Sequence, residues 1–337
     1  MHDFRALRFE ETPVIGASLD DLDLDEVESH IDHAVRVTRY TGDAHDPIEF
    51  LLEHRSVVLV DTRPIPTVAG LLMFGRRAQR FLPHATISLA HYRGNRINSG
   101  DVQHLREYSG NLPKQIDNVV EYMIDHMRHR IMRAETSAQQ IEKTQYPVLA
   151  LRELTVNAIA HRDYSISESS IRVTMLRNSI EWSSPGLLPP TVTIETILDH
   201  QFARNSSLLR LLFQRNYVEK MGQGLNTVFE ECSEQGLPAP AMRETTNSFI
   251  ISLEGHDFTP TLTATQQQIV SLLREREPLK AAQITEELAR LDAANAKSMR
   301  TVQSDLQLLV EEGVVVQQGR ARATTYTLQP EFRHSAS

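Results

Sequence analysis

The segment that most constrains the fold is a largely apolar helix followed directly by an alternating hairpin. Residues 148 to 162, "VLALRELTVNAIAHR", place apolar side chains on several sides of a helix. Residues 170 to 190, "SIRVTMLRNSIEWSSPGLLPP", alternate apolar and polar positions around a turn at Arg177-Asn178. A helix that leads into an antiparallel hairpin predicts an α+β domain.

Residues 21 to 135 predict a further α/β segment ahead of this helix. Apolar residues recur at helical spacing after Asp23, while residues 56 to 61, "SVVLVD", and 85 to 93, "ATISLAHYR", are typical of strands. Apolar residues at helical spacing then predict one long helix over residues 114 to 133.

Composition bounds the class and compartment of the protein. Of the 337 residues, 40% are apolar and 23% charged, which is enough apolar material to bury a core. The single cysteine, Cys232, excludes an internal disulfide and a thiolate zinc site, and fits a reducing, cytoplasmic compartment. Because no stretch approaches the roughly 18 uncharged apolar residues of a membrane helix, we expect a soluble protein with no membrane partner.

The net charge of −9 is concentrated at the N-terminus. Of the 44 acidic and 35 basic side chains, residues 1 to 50 hold 13 and 4, which leaves 31 of each in the rest of the chain. An acidic chain argues against a general polyanion-binding surface. We therefore expect any contact with nucleic acid to be local.

Three polar residues lie along one face of the predicted helix at 148 to 162. Glu153 and Asn157 are four residues apart, and His161 continues the same line. A carboxylate, a carboxamide and an imidazole can polarise a water and fill part of the oxygen shell of Mg²⁺ when substrate phosphates supply other ligands. The same spacing also fits an ordinary solvated helix face, and that alternative stays open.

A glycine-bearing turn supplies a second candidate element. Gly222 and Gly224 flank Gln223 just ahead of an amphipathic helix, so backbone amides at the helix N-terminus could meet an anion. The dinucleotide pattern GxGxxG is incomplete, because position 227 is Thr.

Two sequence motifs of nucleotide-binding enzymes are incomplete in this chain. Gly70 and Gly75 have the spacing of a P-loop, but Arg76 stands where the phosphate-binding lysine belongs. The "HRD" at 161 to 163 resembles a kinase catalytic loop, but Glu168 stands where that loop needs Asn. A Walker-type helicase and a kinase are therefore excluded, whereas an ATPase of another type stays open.

The order of these pieces resembles a bacterial family of ATP-binding proteins. The stretches that carry the resemblance are "PTVAGLLMFGRRAQRFLP", "YPVLALRELTVNAIAHRDYS", "IEWSSPGLLPP", "ARNSSLLRLLFQRNYVEKMGQGL" and "GLPAP". They are similar to RecG-like helicase C-terminal domains, in which a GHKL-like ATPase fold usually follows a Schlafen-type AlbA domain. The resemblance covers roughly residues 10 to 255 and implies a GHKL-like α/β sandwich that binds ATP with Mg²⁺.

The resemblance also implies roles for individual residues. Asn157 would coordinate magnesium, and Glu153 would activate the attacking water. The other implied nucleotide contacts are His161, Asp163, Gly186 in the first nucleotide loop, Arg204 and Asn205 in a lid-like segment, and Gly222 with Gly224 in the second loop. The family places an aspartate and often a second glycine at the first loop, where this chain has Ser184-Pro185 and Leu187.

The pattern changes after residue 261. Three short helices, the third ended by Gly313, precede two strands around Gly319, and this stretch resembles the winged helix-turn-helix of bacterial regulators. That resemblance places the third helix in the major groove of double-stranded DNA and the wing on phosphate. The implied contacts are Lys297, Ser298, Arg300, Thr301, Ser304, Arg320 and Arg322. Because residues 262 to 329 carry eight basic and eight acidic side chains, a winged helix used for protein contact stays open.

These predictions divide the chain into an N-terminal arm (1–20), an α/β segment with a long helix (21–135), a GHKL-like ATP-binding domain (136–255), a linker (256–261), a winged helix-turn-helix domain (262–329) and a tail (330–337). The leading hypothesis is a cytoplasmic, regulator-like protein in which ATP at the GHKL-like site tunes DNA binding by the winged helix. The alternatives are a DNA-binding or scaffolding protein with a vestigial nucleotide site, and a slow ATP hydrolase. A homodimer also stays open.

Overall fold

The computed structural model describes residues 8–42, 46–133, 140–200, 202–218, 223–258, 262–292, 296–319, 323–329 and 332. The chain divides into two compact units, Met1–His256 and Asp257–Ser337, and each has its own hydrophobic core. Within the described ranges, no helix combines the length and the apolar character needed to cross a membrane.

The N-terminal unit combines helices with a mixed sheet. Its helices are α1 (Leu24–Arg36), α2 (Pro47–Glu53), α3 (Val68–Phe74), α4 (Leu112–His126), α5 (Val148–Ala160), α6 (Ser206–Gln214) and α7 (Gly224–Glu234). Its strands are β1 (Val57–Val60), β2 (Arg63–Pro66), β3 (Ile87–Tyr92), β4 (Val102–Tyr108), β5 (His129–Arg133), β6 (Gln140–Thr144), β7 (Ile171–Met175), β8 (Ser179–Pro185), β9 (Ala241–Glu244) and β10 (Ser248–Glu254). Helix starts follow local chemistry: Asp46, Thr67 and Asn111 accept backbone N–H bonds at the first turns of α2, α3 and α4.

Six strands form one sheet in the order β4-β3-β7-β8-β10-β9, in which only the β3–β7 pair is parallel. Helix α5 packs on this sheet, where the indole Nε1 of Trp182 on β8 donates to Thr155 Oγ1 at 3.1 Å. The mixed α+β class is therefore confirmed. The predicted boundary between residues 135 and 136 lies inside one compact unit, because β3 and β4 belong to the same sheet as β7 to β10.

The long helix predicted over residues 114 to 133 is wrong at its C-terminal end. Helix α4 ends at His126, and Met127 has an extended backbone. Residues from His129 onward pair with β6 as an antiparallel hairpin, with His129 opposite Thr144. The helical spacing of Met127 and Ile131 was therefore misleading, because both residues belong to other structure.

Residues 8 to 20, which we expected to form an arm, are built into the unit. Glu10 is fully buried, and its carboxylate accepts the backbone N–H groups of Ser207 and Leu208 at 3.0 and 3.4 Å. Glu11 accepts the hydroxyl of Ser207 at 2.7 Å. Two carboxylates thus cap the N-terminus of α6, where negative charge is stabilising. Burial outweighs these bonds and raises the pKa of Glu10 to about 7.

The C-terminal unit follows the predicted order of elements. It contains α8 (Ala264–Glu275), α9 (Ala281–Leu291), α10 (Met299–Glu311), β11 (Val315–Gln318) and β12 (Thr325–Leu328), with the two strands antiparallel. Apolar residues of all three helices and both strands share one core. Three helices and a two-stranded sheet fit the predicted layout, and the assignment as a winged helix-turn-helix stays a prediction.

A chain of hydrogen bonds crosses the core of the N-terminal unit. His30 Nε2 lies 3.0 Å from Gln214 Oε1, and Gln214 Nε2 lies 2.9 Å from His54 Nε2. The remaining nitrogen of His54, Nδ1, lies 3.0 Å from the carbonyl oxygen of Phe50. This order requires a neutral His54, since a proton on its Nε2 would face the amide N–H of Gln214, whereas His30 donates through Nε2 to the Gln214 oxygen. Burial lowers the pKa of His30 to about 3 and also lowers the pKa of His54.

We expect the N-terminal unit to lose stability as the pH falls below about 6.5, the pKa of histidine in an unfolded chain. Between there and the folded-state pKa of His30, the unfolded chain takes up protons that the folded chain cannot accept. Each such histidine then costs about 1 kcal/mol per pH unit. Fluorescence of Trp182, the chain's one tryptophan, follows this unit in urea titrations between pH 7 and 5.

The variant His30→Phe is expected to be less stable at pH 7 but to show a flatter pH dependence. His84→Phe, at an exposed position, serves as the matched control and should keep the wild-type slope. An unchanged slope in His30→Phe would show that acid sensitivity arises elsewhere.

Candidate functional site

Helix α5 carries the predicted polar residues into the interior of the N-terminal unit. Glu153 is only 3% exposed, and Asn157 follows one turn later. His161 is the C-cap residue of the helix, where its backbone N–H bonds to the carbonyl oxygen of Asn157. The face is therefore not the ordinary solvated one that spacing alone allowed.

A cavity of about 140 Å³ lies between α5, the end of β8, the N-terminus of α7 and the segment 186–204. Its lining includes six of the predicted residues: Glu153, Asn157, His161, Gly186, Arg204 and Gly224. Most of the remaining lining is apolar and comes from Leu154, Trp182, Leu187, Leu188, Val192, Ile197, Phe202, Leu225 and Phe249, among others. The structure thus gathers most of the predicted site in one place.

Gly224 lies directly against the two polar residues of α5. A Cβ atom at this position would lie 2.3 Å from Glu153 Oε2 and 3.4 Å from Asn157 Nδ2, so only glycine allows this approach without a shift. Gly224 is also the first residue of α7. The Glu153 carboxylate therefore lies at a helix N-terminus, where the helix dipole favours negative charge.

The amide nitrogen of Asn157 is the most informative atom of the site. Nδ2 is buried and has no hydrogen-bond partner among the described residues. An unpaired buried donor costs about 1 to 3 kcal/mol. A ligand or water that offers an acceptor in the cavity would recover this free energy.

The turn at Gly186 has a backbone conformation that favours glycine. Gly186 has a positive φ of 117°, and a Cβ there would lie 3.0 Å from Asp163 Cβ. The Gly186 N–H donates to Asn247 O at 2.8 Å, and the Asp163 N–H donates to Pro185 O at 2.7 Å. These bonds fix the turn beside the end of α5.

Ser184 stands where the resembling family has an aspartate. Its hydroxyl donates to Ala158 O at 2.7 Å, and the residue is buried in the cavity wall. The oxygen lone pairs of that hydroxyl still allow it to accept a bond from a ligand. Leu187, at the position of the missing second glycine, is 43% exposed.

Arg204 connects the segment over the cavity to the end of α5. Its Nε donates to His161 O at 3.1 Å, and its Nη1 lies 3.3 Å from Asp163 Oδ2. Its Nη2 donates to the carbonyl oxygen of Leu187. We call these three contacts the Arg204 latch. They leave the guanidinium committed to the protein and place Asp163 beside, not in, the cavity lining.

His161 is held in its neutral form. Burial and, to a smaller extent, the positive charge of Arg204 together lower its pKa to about 4. At neutral pH, the imidazole can therefore donate or accept a hydrogen bond with a ligand, but it adds no positive charge to an anion site.

Asn205, like Asp163, does not line the cavity. Asn205 is 4% exposed and donates both of its amide bonds to the carbonyl oxygens of Ala160 and Arg162, at 2.9 and 2.8 Å. These bonds hold Asn205 at the end of α5, and its predicted ligand contact stays a prediction. Gly222 lies outside the described residues.

Sequence reasoning missed the apolar half of the cavity. Val192, Ile197 and Phe202 come from a segment without helix or strand periodicity, so no local pattern marked them. The available signal was the density of apolar residues in a stretch with no regular structure.

In the C-terminal unit, the predicted DNA-binding residues that are described lie together on the surface. Lys297, Ser298, Arg300, Thr301 and Ser304 are all exposed at the start of α10. Ser298 is the N-cap, and its hydroxyl accepts the Thr301 N–H at 3.2 Å. Arg320 and Arg322 lie outside the described residues.

Comparison with known proteins supports the family assignment for part of the chain. Residues 168–253 match the sequence profile of the family described as "Putative ATP-dependent DNA helicase recG C-terminal". The solved structure of the DIP2311 protein from Corynebacterium diphtheriae aligns with a TM-score of 0.59 and 18% identity, over 98% of this chain and 66% of that one. That likeness shows a shared fold, and the chain spans about two thirds of that protein's length. No curated protein matches the chain.

Proposed function

We propose that the cavity of the N-terminal unit binds ATP with Mg²⁺. The observation that carries the proposal is the unpartnered, buried amide nitrogen of Asn157, which lies beside Glu153 and the glycine turn at Gly224. Two further observations support it: the profile match over 168–253, and the apolar lining that suits a purine ring.

The polar side chains of the cavity fit a magnesium ion only if the nucleotide supplies some of its ligands. Carboxylate and carboxamide oxygens are suitable ligands, and Glu153 and Asn157 would supply them. No group of three or more His, Cys, Asp and Glu side chains in the described ranges could hold a metal ion. Phosphate oxygens would therefore complete the shell, and magnesium would neutralise part of the phosphate charge.

The cavity must widen before it accepts a nucleotide. Pockets for ligands of drug size typically enclose about 300 to 1,000 Å³, against about 140 Å³ here. The segment 186–204 is the element that can move, because its described residues, 186–200 and 202–204, form neither helix nor strand and Leu187, Leu198 and Phe202 are exposed. The Arg204 latch holds this segment, so nucleotide entry and release of the latch are coupled.

We further propose that the C-terminal unit binds double-stranded DNA through α10. This is supported by the exposed cluster at its N-terminal half, where Lys297 and Arg300 add two positive charges. Two acidic residues of α9, Glu286 and Glu287, pair with Arg290, and Asp305 on α10 accepts the amide of Gln266 at 3.1 Å. Nucleotide occupancy would then regulate a DNA-binding protein.

ATP with Mg²⁺ at millimolar concentration is expected to raise the melting temperature of the full chain by a few degrees, since a ligand that binds only the folded state stabilises it. Asn157→Ala should remove the shift, because the ligand loses its amide partner. Asn118→Ala, the same change at an exposed position of α4, should keep it. Trp182 fluorescence reports on the unit that holds the cavity.

An unshifted wild-type melting temperature would leave the alternative of a vestigial site. Turnover in the same samples separates binding from hydrolysis. Phosphate release that is lost in Glu153→Gln would make the protein an ATP hydrolase, whereas binding without release would leave a nucleotide sensor.

Arg204→Gln is expected to speed amide hydrogen exchange in peptides covering residues 187–203 about tenfold, the effect of losing about 1.4 kcal/mol of closing free energy. Arg215→Gln is the matched control, because it removes an ion pair of 2.7 Å with Glu26 on another part of the unit. Equal exchange in wild type and Arg204→Gln would show that the latch does not hold the segment.

Lys297→Gln/Arg300→Gln is expected to weaken binding of a short DNA duplex and to reduce the slope of log affinity against log salt by about two units. The control Arg276→Gln/Arg290→Gln makes the same charge change on residues paired with Glu287. Fluorescence anisotropy at several salt concentrations measures both. Binding that does not depend on salt concentration would favour the alternative in which the C-terminal unit contacts another protein.

A further inference from the structure

We propose that the N-terminal unit carries its own contact for the phosphate backbone of double-stranded DNA, on a surface formed by hairpin β5–β6, loop 93–98 and the turn at 177–178. We call this the basic hairpin surface. Its cations are Arg93, Arg96, Arg128, Arg130, Lys143 and Arg177. The proposal goes beyond the function proposed above, since it needs neither the nucleotide nor α10.

The turn at 177–178 joins the three segments. Arg128 at the base of the hairpin donates through Nη2 to Arg177 O at 3.0 Å. On the other side, the Arg177 N–H donates to Gly94 O at 3.1 Å, and the Asn178 N–H donates to Asn95 Oδ1 at 3.1 Å. The hairpin base and loop 93–98 are therefore held at one end of the six-stranded sheet.

The hairpin places two cations side by side. Arg130 on β5 is directly opposite Lys143 on β6, so their side chains project from the same face of the hairpin. Like charges in this position destabilise a β-ladder. Neither residue has an ion pair with another described residue, and Arg130 is exposed. The repulsion between the two charges lowers the stability of the free protein, and an anion that binds across the pair would relieve this repulsion.

Local charge favours a polyanion. Residues 93–101, 128–133, 140–145 and 176–179 contain seven basic side chains and two acidic ones, Asp101 and Glu142, in a chain whose net charge is −9. The Asp101 carboxylate accepts the amide of Asn98 at 3.0 Å within its own loop. Glu254 on β10 lies opposite Ser179 on β8.

The shape of the surface favours duplex DNA among polyanions. A two-stranded antiparallel ribbon fits the major groove, and cations on the ribbon and its flanks then meet the phosphates on either side. Five of the six cations are arginines, whose planar guanidinium matches phosphate geometry. Contacts of this kind give affinity without reading sequence.

The test measures full-chain binding to a 20-base-pair fluorescent duplex across a salt series. Arg130→Gln/Lys143→Gln is expected to weaken binding at least about fivefold at 100 mM salt and to flatten the salt slope by about two units. Arg36→Gln/Arg63→Gln removes two exposed cations from other parts of the same unit and should change neither quantity. Removing the like-charge pair should also leave the melting temperature equal or slightly higher, which separates lost binding from lost folding.

A second double variant and a second anionic probe, lipid vesicles, distinguish the remaining outcomes. Arg93→Gln/Arg96→Gln should weaken binding in the same way, and its loss should add to that of Lys297→Gln/Arg300→Gln if the two units bind independently. Affinity of the hairpin variant equal to that of its control would overturn the proposal, as would binding to phosphatidylserine vesicles without binding to DNA. Loss in the hairpin variant with no effect of the α10 variant would uphold the surface and refute the α10 contact.

Discussion

Packing of α5 against β8 is the interaction on which the site depends. The helix is apolar on most of its surface, so it is stable only when it is covered on several sides, and the Trp182 indole fixes its position through Thr155. Any polar side chain on such a helix must find a partner inside the protein. Glu153 meets the N-terminus of α7, whereas the amide nitrogen of Asn157 has none among the described residues, which leaves one unsatisfied group beside an apolar cavity.

Local patterns predicted the elements, and long-range pairing decided how they combine. Helix α5 and hairpin β7–β8 can each be predicted from a short stretch of sequence, the helix from its apolar residues and the hairpin from its alternation and turn. The parallel pairing of Ile87 with Ile171 has no such signal, because the partners are 84 residues apart, and it merges two predicted domains into one sheet. Capping of α6 by Glu10 spans about two hundred residues and converts an expected arm into part of the core.

The same distinction explains the site. Glu153, Asn157, Gly186 and Gly224 were predictable because motif and spacing identify them, and all four line one cavity. Asn205 does not line the cavity, because its amide donates to two carbonyl groups at the end of α5, which is a feature of tertiary packing. The Arg204 latch was equally hidden, since two of its three acceptors are backbone oxygens that carry no sequence identity.

The balance of forces over the cavity indicates which part of a ligand opens it. Arg204 and Asp163 are both about a quarter exposed, so their ion pair contributes on the order of 1 kcal/mol or less and cannot by itself keep the segment closed. Within the segment, Val192 is buried and Ile197 half-buried, and burial of such side chains is worth about 1.5 to 3 kcal/mol each. Closure is therefore mainly apolar. A phosphate group alone would compete only for the weaker polar contacts, whereas a ligand that also carries a flat apolar ring replaces the contacts that hold the segment down. Under this balance, a nucleotide opens the cavity far more readily than inorganic phosphate or triphosphate.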